Sequence, residues 1–232
     1  MSEGQGKLTL VATPLGNLGD LSPRSADALR GADIWIVEDT RVSSRLASHL
    51  GVSKPMRILN DHTGPAAVDR YADEIRAGAS AALLTDGGTP AISDPGALLT
   101  DACHRLGIGV EGIPGPSAPA LALSLSGFFA QRYAFLGFLG RKRGDMLREL
   151  SPFADSPYTL VLFESPHRIE PLLSALHEAL GERRYAICRE MTKAFEQVWR
   201  GQLPEVPSEP VVPRKGEFTL VVEGRRSPNL RP

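Results

Sequence analysis

The chain has 232 residues, with 26 Lys and Arg against 27 Asp and Glu and a formal charge of −1. That balance excludes attachment to nucleic acid by a global basic field, so an RNA partner has to meet a local patch. The length fits one large domain or two of roughly 100–130 residues each, and no apolar run reaches the roughly 18 residues of a membrane-spanning helix.

Short apolar runs alternate with helical patterns through the first half. LTLVA (8–12) predicts a strand, followed by a helix over SPRSADALRGA (22–32), where Ser22 is an N-cap, Pro23 stands at N1 and Gly31 is a stop. DIWIVE (33–38) and VSSRLASHLG (42–51) repeat the pair, as do MRIL (56–59) and AAVDRYADEIRAG (66–78), then AALLT (81–85) and PGALLTDACHRLG (95–107). IGVEGI (108–113) supplies a fifth strand. This alternation predicts an α/β fold with a mostly parallel sheet and helices on both faces. Ligands of such sheets bind beyond the carboxyl ends of the strands.

Four polar or glycine-rich loops fall at that edge: TPLGNLGD (13–20), EDTR (38–41), TDGGTPAISDPG (85–96) and PGPSA (114–118). The third has three glycines, no Lys or Arg, and the carboxylates Asp86 and Asp94. Glycines let backbone approach a ligand closely. Two carboxylates repel a phosphate and suit hydroxyls, an ammonium or another cation.

A second unit starts near Tyr133. RYAFLGF, YTLVLFE, RRYAICRE, AFEQVWRGQL and GEFTLVVEG read as strands, with an amphipathic helix over PHRIEPLLSALHEALG. Late strands lack intervening helices, which predicts a mixed sheet with antiparallel pairs. The expected domains are 7–128 and 129–226, with LPEVPSEPVVP (203–213) as a connector and loose ends at 1–6 and 226–232. Cys103 and Cys188 sit in apolar patterns without metal-ligand spacing, which predicts buried free thiols, no metal and, with no leader, a cytoplasmic location.

VATPLGNLGDLSPRSADALRGADIWIVEDTRVSSRLASHLG, TDGGTPAISDPG, GIPGPSAPALALSLSG, LFESPHRI, REMTKAFEQVWRG and KGEFTLVVEG occur in this order. Together they resemble the ribosomal RNA small subunit methyltransferase I family of the tetrapyrrole methylase superfamily, over about residues 8–224. The resemblance implies a two-domain tetrapyrrole-methylase-like fold with S-adenosyl-L-methionine in the interdomain cleft, a homodimer, and 2′-O-methylation of a cytidine ribose in 16S rRNA, with the small ribosomal subunit as the substrate particle. It implies cofactor contacts at Leu15 and Gly16, at Asp86, Gly88, Thr89 and Ser93, at Ser117 and Ala118, at Phe163 and Glu164, and at Gly216, Glu217 and Phe218. A cofactor with a sulfonium, an α-ammonium and ribose hydroxyls suits the acidic loop. The chain departs from the family at NDHTGPAA (60–67), where a HEHNE-like stretch is common, and at Gly140, where proline is common. The alternatives are methylation of a tetrapyrrole or other small acceptor on the same fold, and a ribosome-binding module without turnover.

A neutral ribose hydroxyl needs a general base within hydrogen-bond reach. Glu38 and Asp39 are the expected catalytic pair; Asp94, His62 and Glu190 are the other candidates. Against these stand plainer roles: an Asp39–Arg41 ion pair at the strand end, an ordinary loop histidine, and a Glu190–Lys193 pair on the sheet surface. For RNA, GRKRGDMLR (140–148) offers Arg141, Lys142, Arg143 and Arg148, SPHR adds His167 and Arg168, and REMTK adds Lys193. A solvated loop and a helix cap are the plain alternatives. Aromatic residues make up only 6% of the chain, which argues against a broad base-stacking platform.

Overall fold

Alternating apolar runs and capped helices give a computed structural model that describes residues 6–225; residues 1–5 and 226–232, with most of the expected loose ends, lie outside it. Gly6 is buried, and a Cβ there would meet the Ile75 carbonyl oxygen at 2.1 Å. The chain divides into two units between Ser117 and Ala118.

In the first unit, strands β1 (Lys7–Val11), β2 (Ile34–Val37), β3 (Met56–Ile58), β4 (Ala81–Leu83) and β5 (Gly109–Ile113) form one sheet in the order β3-β2-β4-β1-β5. Every pairing is parallel. Helices α1 (Pro23–Gly31), α2 (Thr40–Leu50), α3 (Pro65–Arg76) and α4 (Gly96–Arg105) connect the strands. Ser22 caps α1 by accepting the Ser25 amide at 3.0 Å, with Pro23 at N1. Helix α2 starts two residues before the expected Val42, because Asp39 caps it through the Arg41 amide at 2.7 Å.

Side-chain alternation sorts this sheet into two cores. Ile34 and Ile36 face one way, with Val68, Ala72 and Ile75 of α3 and Leu99 and Ala102 of α4. Trp35 and Val37 face the other, with Leu29 of α1 and Leu46, Ala47 and Leu50 of α2. The indole N–H of Trp35 donates to the Leu29 carbonyl at 2.9 Å, so the buried ring leaves no orphan donor. Helix α1, following β1, and α4, following β4, therefore cover opposite faces, although β1 and β4 are neighbours. That parting of adjacent connections is the topological switch point where open α/β sheets bind ligands.

The second unit contains α5 (Ala118–Ser126), β6 (Tyr133–Gly137), α6 (Arg143–Leu150), β7 (Thr159–Glu164), α7 (Ile169–Leu180), β8 (Arg184–Arg189), β9 (Gln197–Gln202) and β10 (Phe218–Val222). Its sheet runs β6-β7-β10-β8-β9; β6 and β7 are parallel and the other pairs antiparallel, the mixed sheet the sequence predicts. Helix α5 has no counterpart among the predicted elements, since APALALSLS is apolar almost throughout and shows no stripe. It packs with Val161, Ala186 and Val221 of the second sheet through Ala122 and Leu123. The division consequently falls ahead of the expected 128/129. Helices α6 and α7 cover the other face. Pro166–Arg168, read as the start of α7, forms a separate 3-10 turn. Cys103 and Cys188 are buried free thiols, and burial raises both. No helix among the described residues is long and apolar enough to cross a membrane.

Leu99 is fully buried between α4 and the sheet. Leu99→Ala is expected to cost about 2–5 kcal/mol of stability, read as a lower urea midpoint with an unchanged slope for the transition that unfolds the first unit.

Candidate active site

At the carboxyl edge of the first sheet the four predicted loops come together. Beyond the ends of β1 and β4, Thr13 and Gly88 form an isolated antiparallel bridge: the Thr13 amide donates to the Gly88 carbonyl at 2.9 Å, and the Gly88 amide to the Thr13 carbonyl at 3.0 Å. The Thr13 hydroxyl donates to the Thr85 carbonyl at 3.0 Å. Gly88 has φ +102, and a Cβ there would meet Leu15 at 3.3 Å, so Leu15 closes over a bare stretch of backbone. Thr89 donates to the Pro116 carbonyl at 3.0 Å, tying the β4 loop to the β5 loop beside Ser117. The Asp39 amide donates to Asp86 at 3.3 Å and the Thr85 hydroxyl to Glu38 at 3.1 Å, which brings in the β2 loop. Leu15, Gly16, Asp86, Gly88, Thr89 and Ser117 thus belong to one surface.

The β4 loop holds strain. Ala91 and Ser93 adopt φ of 65° and 68°, left-handed values that side chains other than Gly, Asn and Asp rarely take. Below them Glu38, Thr85, Ala91, Asp94 and Gly96 line a small recess of about 10 Å³, room for about one water molecule. The carboxylates here differ in character. Arg41 grips Asp39 through both oxygens at 3.1 Å from its Nε, and this hydrogen bonding lowers the Asp39 carboxyl to about 2. Asp94 goes the other way, raised to about 6 by burial and by the charges of Glu38, Asp86 and Asp61, although the Thr85 hydroxyl opposes this. Asp86 is also raised, by burial first and then by Glu38. His62 is exposed in a turn where its amide donates to the Asn60 side chain at 3.0 Å.

The second unit gathers its own polar residues at one end of its sheet. Antiparallel register sets Phe218 opposite both Glu164 and Arg189. The Glu164 side chain is 1% exposed and burial raises its carboxyl. One oxygen accepts the Ser165 amide at 2.7 Å; the other has no hydrogen-bond partner. Glu190, at φ 49°, accepts the Glu217 amide at 3.0 Å and pairs with Lys193 at 3.1 Å, and Lys193 also pairs with Glu217 at 3.0 Å. Gly216 has φ +97, and a Cβ would lie 2.5 Å from the Glu190 side chain. Glu190, Lys193 and Glu217 therefore tie the end of β8 to the start of β10, the structural pair named above as the plain alternative. Lys193 is correspondingly paired with two carboxylates of its own unit.

The basic stretch is similarly divided. Arg143 pairs with Glu178 and Arg148 with Asp145. Arg168 is pulled inward, 3.4 Å from Glu164, and donates to the carbonyls of Leu139 and Gly140 at 3.4 and 3.3 Å. These three guanidiniums are already partnered. Among the described residues Arg141 and Lys142 are exposed and form no ion pair. The sequence places Asp94 among the secondary base candidates and does not reveal the clamp made by Arg168. The Arg at one helical turn from Glu164 in ESPHR was the available signal.

A family model described as Tetrapyrrole (Corrin/Porphyrin) Methylases matches residues 7–207. Ribosomal RNA small subunit methyltransferase I of Xylella fastidiosa is 42% identical over 223 residues, 94% of this chain and 82% of the relative. The protein of the same name from Synechocystis is 40% identical over 233 residues, covering 98% and 82%. Among solved structures, uroporphyrin-III C-methyltransferase from Thermus thermophilus, complexed with S-adenosyl homocysteine, superposes with a TM-score of 0.65 at 21% identity, over 93% of this chain and 97% of that one, a likeness of fold. On the match of the family model and of relatives aligned over nearly its whole length, the chain belongs to the tetrapyrrole methylase family, in the branch of ribosomal RNA small subunit methyltransferase I.

Proposed function

We propose that the chain transfers a methyl group from S-adenosyl-L-methionine to the 2′-hydroxyl of a cytidine in 16S rRNA. The observation that carries this reading is the acidic character of the β4 loop, which has two Asp and no Lys or Arg and is pinned to three neighbouring loops at the switch point of the sheet. The residues fit the cofactor. Asp94 is held against the charges of Glu38 and Asp86, and Asp86 against that of Glu38, a repulsion that a sulfonium and an α-ammonium relieve. Leu15, Gly16, Gly88, Thr89, Ser93 and Ser117 supply close backbone and small side chains; in the second unit Ala118, Phe163, Glu164 and Gly216–Phe218 remain the proposed contacts. The bound cofactor supplies an electrophilic methyl. The family resemblance supports a homodimer working in the cytoplasm on the small ribosomal subunit.

The acceptor hydroxyl has to give up its proton, and the carboxylates at the β2 and β4 loops divide that work. Asp39, held near 2 by Arg41, is a weak proton acceptor; it caps α2, and its amide fixes Asp86. Asp94, at about 6, lies close to the working pH and is the better-matched base. Glu38 helps to keep it there through charge. The base is therefore assigned to Asp94 with Glu38 in support, and Asp39 becomes a positioning residue.

The direct test incubates the protein with methyl-labelled S-adenosylmethionine and unmethylated small subunits, with naked rRNA alongside. Label recovered as 2′-O-methylcytidine is the expected result; no label on either RNA despite cofactor binding would sink the reading. Turnover is expected to rise between pH 5 and 7 as Asp94 ionises and to flatten above. Asp94→Asn should remove that limb and lower kcat by about 10²–10⁴. Because the folded carboxyl holds its proton to higher pH than the unfolded one, Asp94 favours folding less as pH rises from about 4 through about 6. Asp94→Asn should accordingly melt higher than the wild type at pH 7.5 and lose that gain at pH 4. Replacing both Arg141 and Lys142 by Ala should weaken RNA binding and flatten its log–log salt dependence by about 1.5.

A further inference from the structure

Phe138 is 63% exposed, and yet its ring is held in place. It lies 5.5 Å from the ring of Phe163, which in turn meets Phe135 edge-on at 5.0 Å. Strict strand alternation sends residues 135 and 138 to opposite faces of the sheet. A register shift in β6 prevents this: Phe135 pairs with Val161 and Gly137 with Leu162, leaving Leu136 as an extra residue. Gly137 takes up the turn with φ 61°. Such a bulge re-aims the side chains that follow it. Here it returns Phe138 to the face of Phe135 and Phe163, while Leu136 and Leu139 both reach the opposite core. Immediately beyond, Arg168 holds the carbonyls of Leu139 and Gly140, so the two residues that follow the ring-bearing Phe138 are anchored from the side of Glu164. Arg141 and Lys142, exposed cations that form no ion pair among the described residues, come next in the chain.

We infer that Phe138 is a base-stacking residue for the RNA substrate, taking the π-face of an unstacked base while Arg141 and Lys142 hold the adjoining phosphates. This rests on the functional reading above and adds to it the element that receives the base. A rigid aromatic face beside unpaired cations matches an unpaired nucleotide in both charge and shape, the pairing by which single-stranded RNA is bound. A duplex does not fit, because its bases are stacked on one another. A ribose acceptor benefits from such a grip, since fixing the base limits the freedom of the 2′-hydroxyl.

The test uses the full chain with S-adenosylhomocysteine and a single-stranded RNA oligonucleotide carrying a fluorescent cytidine analogue, together with methyl transfer to small subunits. Wild type and Phe138→Trp are expected to change the analogue's emission on binding. Phe138→Leu, which keeps apolar bulk without a π-face, and Phe138→Ala should lose that change, bind the RNA about 5- to 100-fold more weakly, and raise KM for RNA with cofactor affinity and melting temperature unaltered. Wild-type emission and KM in Phe138→Ala would overturn the inference while leaving the methylation reading standing. A shift in the sedimentation of Phe138→Ala with no change in RNA binding would also overturn it, assigning the ring to contact between copies of the chain. A wild type that neither binds nor methylates RNA would bring down both.

Discussion

Two amide hydrogen bonds between Thr13 and Gly88 continue the sheet past its own ends, and the candidate site depends on them. Within the sheet β1 and β4 are parallel, yet Thr13 and Gly88 meet antiparallel, because both chains have begun to turn toward opposite faces. The Thr13 hydroxyl adds a third bond across the same gap, to the Thr85 carbonyl. Positive φ at Gly88 lets the backbone pass without a Cβ between Leu15 and the Pro116 carbonyl. With that crossing fixed, Asp86 falls within reach of the Asp39 amide and Thr89 of the Pro116 carbonyl.

The same anchoring sustains an arrangement that is unfavourable by itself. Left-handed Ala91 and Ser93 each cost on the order of 1–3 kcal/mol, and the charge of Glu38 helps to raise both Asp86 and Asp94. An isolated loop would relax by opening into water. Here Gly96 starts α4 with its Cα so near Leu83 that a Cβ would come within 2.8 Å, so both ends of the loop are seated on the sheet. Strain and like charge persist because the surroundings determine the backbone, and a cation then gains what the loop has stored.

The legible part of this molecule was the part written in local pattern. Strand and helix alternation, the Ser22 cap and the placement of four loops at one edge follow from spacing and turn chemistry, and the structure has them. What was not legible depends on partners distant in sequence. APALALSLS shows no stripe because a short helix pressed on a sheet needs little polar surface. The bulge at Leu136 becomes visible only when β6 is counted against β7, although a glycine inside FLGFLG hints at it. Asp39 and Asp94 are the same residue type, and what separates them is a bidentate arginine in one case and burial among charges in the other.

The pairing of the arginines bears on how an RNA can be recognised at all. Arg143, Arg148 and Arg168 form ion pairs inside the second unit, which removes most of the charge that the basic stretch displays in sequence. Within that stretch Arg141 and Lys142 are left without ion pairs among the described residues, and two cations release few counterions, so this patch alone gives weak and unspecific electrostatic binding. A chain of net charge −1 cannot make up the difference through its overall field. Selection then has to come from shape and from stacking, both of which require the protein surface to be rigid before the RNA arrives. The bulge, the aromatic ladder and the Arg168 clamp provide that rigidity, with Arg168 bound to the Leu139 and Gly140 carbonyls and to Glu164.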